Sequence, residues 1–175
     1  MPIESLVFID ETGINCGMTR LYGRAYKNQR VNDYVPDIRF ERTSVISSLR
    51  LSGENVPCVF KGTLTGDLFG TYIRDFLAPS LKKGDIVALD NCTAHKVKGA
   101  LDPVYAAGAT VLFLPPYSPD FNPIEMSWSK MKAVLKKLKP RTYDELLTAL
   151  EIALESFTAA DIKMWFQHDG YCLNV

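Results

Sequence analysis

The stretch Asp85-Ile86-Val87-Ala88-Leu89-Asp90-Asn91 sets the architecture. Its apolar centre, flanked by acids, reads as a buried strand that ends on Asp90. A helix is expected next, from about Ala94 to Ala107, closed by Gly108. A second apolar run, Thr110 to Leu114, then stops at Pro115-Pro116. Strand, helix and strand in this order predict a parallel crossover, since parallel neighbours need a connection of a dozen or more residues.

Toward the N-terminus, Leu6-Val7-Phe8-Ile9 is another apolar run ending on an acid, Asp10, before the turn-like Glu11-Thr12-Gly13. Further extended segments are expected over Leu21–Val31, over Thr43–Leu51 before Ser52-Gly53, and over Val56–Phe60 before Gly62. Leu68, Phe69, Tyr72, Ile73, Phe76 and Leu77 recur at helical spacing, with the break at Pro79. Toward the C-terminus, Pro115 to Pro123 holds four prolines in nine residues, which excludes regular structure. Asn122 as N-cap, Pro123 at the first position and Glu125 three residues after the cap open a helix. Ile124, Trp128, Met131, Leu135 and Leu138 share one stripe of it, and Lys130, Lys132, Lys136 and Lys137 lie off that stripe. Pro140 ends the helix. Thr142 with Glu145 and Thr158 with Asp161 make two more capping boxes, the second opening a short terminal helix through Trp165. The expected whole is one α/β domain over residues 1–175, a mixed sheet flanked by helices with further helices at its C-terminal end.

A chain of 175 residues can bury a full core, and 47% hydrophobic with 23% charged residues suits a globular protein rather than a disordered one. No run reaches the 18 or so apolar residues of a membrane span, and Met1-Pro2-Ile3-Glu4 lacks the basic start of a signal peptide. A cytoplasmic protein without a membrane partner is expected. Cys16, Cys58, Cys92 and Cys172 form no C-x-x-C pair, which favours reduced thiols over a zinc site or disulfide framework. Twenty basic and twenty acidic residues cancel, which argues against a dedicated nucleic-acid-binding module but leaves room for a local basic patch.

Asp10 and Asp90 both stand at the C-terminal ends of expected core strands, the edge at which open α/β sheets bind ligands. Glu125 opens the helix after the proline loop. Clustered carboxylates repel one another unless a cation neutralises them. An all-oxygen ligand set suits Mg²⁺ or Mn²⁺, and two such ions about 3.5–4 Å apart would stabilise both oxygens of an in-line phosphoryl displacement. Position alone leaves a second reading open for each acid: Asp10 and Asp90 as turn caps, Glu125 as a capping-box acid.

The motif Leu114-Pro115-Pro116-Tyr117-Ser118-Pro119-Asp120-Phe121-Asn122-Pro123-Ile124-Glu125, preceded by Leu89-Asp90-Asn91 and His95, resembles the catalytic domain of mariner-like DDE transposases, most closely their bacterial insertion-sequence branch. Thirty-four residues separate Asp90 from Glu125, the spacing of that family's second aspartate and its glutamate. Phe8-Ile9-Asp10-Glu11-Thr12 resembles its first-strand motif, and Tyr22-Gly23-Arg24-Ala25 and Gly170-Tyr171 are also similar to it, so the likeness runs from about Ser5 to Tyr171. The resemblance implies an RNase H-like fold in which Asp10, Asp90 and Glu125 hold metal and catalyse cleavage and strand transfer of double-stranded DNA, with two Mg²⁺ or Mn²⁺ ions. It implies a homodimer at work on element ends and target, nucleoid-associated when DNA-bound. Relatives carry N-terminal helix-turn-helix modules; none is expected in this chain, and a polypeptide from an upstream reading frame would supply one. Many relatives also have a bulky residue where this chain has Gly13.

His95 is a candidate for contact with the scissile phosphate or for proton transfer, Asn91 for orienting Asp90, and the lysines at 130, 132, 136 and 137 for DNA backbone contact. Each has a plain structural alternative: a helix-start residue, a turn-forming asparagine and a solvated helix face. Trp128 is expected in the core, and Glu11 should point away from Asp10 if strand alternation holds. The rival functions are a plain RNase H-like nuclease that cuts without joining, and a non-catalytic remnant that serves as a DNA-binding or assembly subunit.

Overall fold

The computed structural model describes residues 2–37, 40–116 and 118–171; Tyr117 of the proline motif and Cys172 lie outside the described residues. Five strands, β1 (Leu6–Ile14), β2 (Thr43–Leu49), β3 (Cys58–Lys61), β4 (Ile86–Leu89) and β5 (Thr110–Phe113), make one sheet in the order β3-β2-β1-β4-β5. β1 pairs antiparallel with β2, and β2 with β3. β4 lies parallel to both β1 and β5, so the expected crossover and mixed sheet are present.

β1 is central, which explains its unbroken apolar run: a strand covered on both faces needs apolar side chains on both. Leu6 and Phe8 face one side, where α3 (Ile124–Leu138), α4 (Tyr143–Glu155) and α5 (Ala159–His168) bring Trp128, Met131, Leu135, Leu150 and Phe166. Val7 and Ile9 face the other, against Phe69, Tyr72, Ile73, Leu77 and Val104 of α1 (Gly66–Tyr72), the turns after it and α2 (Asp102–Ala106). Both downstream capping boxes form as expected, Thr142 accepting from the Glu145 amide and Thr158 from the Asp161 amide, though α5 continues past Trp165 to His168. At the far end of the sheet Arg50, just after β2, makes a buried 2.6 Å ion pair with Asp85, just before β4.

Several sequence expectations are corrected. Leu21–Val31 is not a strand; it finds no partner strand, and Leu21, Tyr22 and Tyr26 are largely exposed. The helix expected over 94–107 is interrupted: a short 3-10 turn, Thr93–Lys96, gives way to extended backbone at Val97. Gly99 then takes a left-handed φ of +79°, and the helix restarts at α2 with Pro103 in its first turn. After α1 the chain tightens and loosens through a π turn, Ile73–Leu77, and a 3-10 turn, Ala78–Ser80. Asn122 does not cap α3: Pro123 takes that position, and no side-chain cap bond forms. Leu138 leaves the buried stripe and is 43% exposed. No helix among the described residues is long and apolar enough to cross a membrane.

Candidate active site

The parallel register of β1 and β4 pairs Ile9 with Leu89, so Asp10 and Asp90 are the next residues on adjacent strands. Neighbouring strands lie about 4.8 Å apart. Asp10 alternates onto the face of Phe8, toward α3. Helix α3 packs across that face of β1, and its first turn carries Glu125. All three acids line one cavity of about 510 Å³, together with Asn91, Cys92, Leu114, Pro115, Pro116, Ser118 and Asn122. Among the described residues, no three His, Cys, Asp or Glu side chains close tightly enough to enclose a single ion. The acids ring a cavity rather than one coordination sphere.

Asp10 is the most perturbed of them. Its carboxyl is pushed up to about 7, first by burial and then by the negative charge of Glu125, with a smaller push from Asp90. The hydrogen bond from Trp128 Nε1 to Asp10 Oδ2, at 2.9 Å, opposes this. Burial foremost, and the neighbouring acids after it, disfavour a charged Asp10 without a cation, the condition that an all-oxygen site for a hard divalent ion is built to relieve. The donor set therefore fits Mg²⁺ or Mn²⁺.

Asp90 is held from the opposite side. His95 Nδ1 lies 2.7 Å from Asp90 Oδ1, and the Cys92 amide donates to the same oxygen at 3.0 Å. The His95 bond, foremost, holds Asp90 below the usual carboxylate range. The His95 ring is buried and packs at 4.4 Å on Phe69, in the core layer across the sheet from α3, and its Nε2 has no partner among the described residues. Its contact is with Asp90, through a turn rather than the start of the expected helix. Glu11 alternates to this layer, as expected; burial raises its pKa, and the nearby His95 and Arg42 pull it back.

Asn91 is exposed and lines the cavity beside Asp90. Glu125 is exposed too, and α3 has no side-chain cap bond, which removes the capping-box role for this acid. Lys130 is committed elsewhere: its Nζ lies 2.6 Å from Asp161 Oδ2 and 2.8 Å from the Ser156 carbonyl. Lys136 and Lys137 are exposed and Lys132 half-buried along α3. Lys139 pairs with Asp33, and Arg141 donates to the carbonyls of Cys16 and Met18 and to the Thr19 hydroxyl, tying down the loop after β1. A Cβ at Gly13 would meet the Arg42 guanidinium, the far end of a flexible side chain, at 3.0 Å. The link sequence reasoning missed is Trp128. It belongs to the core as expected, but its indole also grips Asp10; the available signal was its place one helical turn after Glu125.

The family model described as DDE superfamily endonuclease matches residues 5–147. Among solved structures, the chain is similar to the Mos1 transposase paired-end complex with left transposon end, at 17% identity and TM-score 0.77, covering 94% of this chain and 52% of that one. The mariner Mos1 paired-end complex with Mg gives 16% identity and TM-score 0.77, covering 97% and 55%. The catalytic domain of Mos1 mariner transposase gives 14% and 0.65, covering 94% and 76%. No curated protein matches the chain. At these identities the structural likeness is one of fold, the RNase H-like arrangement expected from the sequence, and the chain spans about half the length of the transposase chains in the paired-end complexes. With the family model covering most of its length, the chain belongs to the DDE superfamily endonucleases.

Proposed function

We propose that this chain is the catalytic domain of a cut-and-paste DNA transposase of the insertion-sequence type, with Asp10, Asp90 and Glu125 as its metal-holding acids. The observation that carries the reading is their meeting, from β1, β4 and α3, around one cavity in which Glu125 raises the proton affinity of buried Asp10. The similar structures are Mos1 complexes with transposon ends, one with Mg and another with Mn. A pair of Mg²⁺ or Mn²⁺ ions would supply Lewis-acid stabilisation of the attacking and leaving oxygens. Asp10, fixed by Trp128, and Asp90, fixed by His95, present oxygens to the cavity from adjacent strands, and Glu125 closes it from α3.

In the first step a water oxygen bonds to phosphorus and the bond from phosphorus to the 3′ oxygen breaks; that oxygen takes the proton and leaves as a 3′-hydroxyl. In the second, this hydroxyl oxygen bonds to a target phosphorus, and the displaced 3′ oxygen leaves with the proton. Lys132, Lys136 and Lys137 supply phosphate contacts along the duplex. Recognition of element ends falls to a helix-turn-helix segment outside these residues, and a homodimer brings two ends together.

The test uses labelled duplex element ends with a target duplex and Mn²⁺. Joined products that vanish in Asp90→Asn are expected. Cut but never joined strands would establish a plain nuclease instead, and no metal-dependent cutting would overturn the reading.

A further inference from the structure

Asn122 is 4% exposed and lines the cavity shared by Asp10, Asp90 and Glu125. Its Oδ1 is sealed from solvent and accepts no hydrogen bond from the described residues, and its side chain does not cap α3. Asparagine before a helix ordinarily turns its oxygen onto an amide two or three residues ahead. Here only the backbone takes part, the Asn122 carbonyl accepting from the Glu125 amide at 3.0 Å. That bond fixes Asn122 beside Glu125, while Oδ1 stays without a partner among the described residues.

A buried amide oxygen without a partner is costly, and an apolar residue of the same shape would avoid that penalty. Such an acceptor is accounted for by a donor from outside the described residues, a water or a ligand. The unmet atom is an acceptor, so its ligand must be a donor. Both nucleophiles of the proposed reaction are O–H donors brought to this cavity: water in cleavage and a 3′-hydroxyl in transfer. The last torsion of asparagine is broad, so the amide can turn its oxygen to the cavity without moving the backbone.

We propose that Asn122 is a catalytic residue whose Oδ1 accepts a hydrogen bond from the O–H of the attacking nucleophile and orients its oxygen toward phosphorus. The amide neither takes nor gives a proton; it aligns. The inference rests on reading the cavity as the phosphodiester-cleaving site.

The experiment compares the wild-type chain with Asn122→Leu, which keeps size and removes the acceptor, and Asn122→Asp, which keeps an acceptor. Turnover of a nicked duplex in Mn²⁺, Mn²⁺ affinity by calorimetry, duplex affinity by anisotropy and Tm are measured together. Asn122→Leu should melt no earlier than wild type and bind Mn²⁺ and duplex equally well, yet lose roughly 10-fold or more in kcat, the scale of one oriented hydrogen bond in a reacting site. Asn122→Asp should keep several-fold more turnover than Asn122→Leu. Unchanged kcat in Asn122→Leu overturns the proposal, as does an Asn122→Asp no better than Asn122→Leu. Weakened Mn²⁺ binding in Asn122→Leu would make Asn122 a metal ligand instead, and a lowered Tm with normal kcat would make it structural. Failure of the wild-type chain itself to cut in Mn²⁺ would refute the functional reading, a result distinct from all of these.

Discussion

Trp128 Nε1 donates to Asp10 Oδ2 across 118 positions of sequence, at 2.9 Å, so a core residue of α3 holds a cavity acid of β1 in one orientation. Trp128→Phe keeps most of the ring but removes the donor. The bond favours the charged carboxylate, so its loss should destabilise the fold more at pH 8 than at pH 5. The cost is about 1–3 kcal/mol at the higher pH, or some 2–4 °C per kcal/mol for a chain of this size. Mn²⁺ affinity should fall as well. Thermal melts at the two pH values with a Mn²⁺ titration decide it, and a variant unchanged in both would deny Trp128 this role.

Asp10 predicts a pH dependence of the metal-free protein. Its pKa is raised on folding from 3.8 to about 7, so between those values the folded state keeps a proton that the unfolded chain has released. The stabilisation is fully present below about pH 4 and is lost as pH rises through about 7. The melting temperature should therefore carry a downward contribution over that window. Asp10→Asn should abolish it and raise Tm at pH 8. Because a divalent ion must displace the same proton, Mn²⁺ binding should tighten up to about pH 7 and then level. A Mn²⁺ affinity flat from pH 5 to 8 would contradict the assignment.

Glu125→Gln separates chemistry from architecture. Glu125 is exposed and caps nothing with its side chain. The variant should melt within about 0.5 kcal/mol of wild type, the range of an ordinary surface substitution, while Mn²⁺-dependent cutting drops by orders of magnitude. Asp90→Asn should lose cutting equally, and the double variant should be little worse than either single, because the acids act as a unit. Normal turnover in Glu125→Gln would sink the three-acid mechanism.

The α3 lysines divide by partner. Lys132→Ala with Lys136→Ala should weaken binding to every duplex by a similar factor and flatten its salt dependence, leaving Tm nearly unchanged. Lys130→Ala should do the reverse, lowering Tm, since its ammonium bridges Asp161 and the Ser156 carbonyl between helices. Anisotropy at several salt concentrations, with melts, distinguishes them. A Lys130→Ala protein that melts normally but loses DNA affinity would contradict the division.

Local signals were read well where local physics decides the outcome. The boxes at Thr142 and Thr158 form because their partners sit three residues away. Strand β4 and its acid were legible because an apolar run between charges has one way to lie in a sheet. Leu21–Val31 misled because a strand needs a neighbour, and no residue in it announces that none comes. The helix expected over 94–107 failed at Gly99, whose freedom to take φ of +79° competes with helical continuation. At the site, Asp10, Asp90 and Glu125 were visible as motif residues, whereas the supports of the two aspartates were not. Trp128 and His95 reach them from opposite layers of the domain, and only the register of β1 with β4 brings those layers to one edge.

Helix α3 makes a temporal demand on the chain. A ribosome that has released only the five strands has already made Asp10 and Asp90, yet the face of β1 that α3 covers is still bare. The docking of α3 seats Trp128 in the core, grips Asp10 and delivers Glu125 in one event. A nascent or proteolytically shortened fragment ending before that helix would hold two acids and no working cavity. On the proposed reading, the three-acid cavity is complete only once the segment Ile124–Leu138 has been made and has docked.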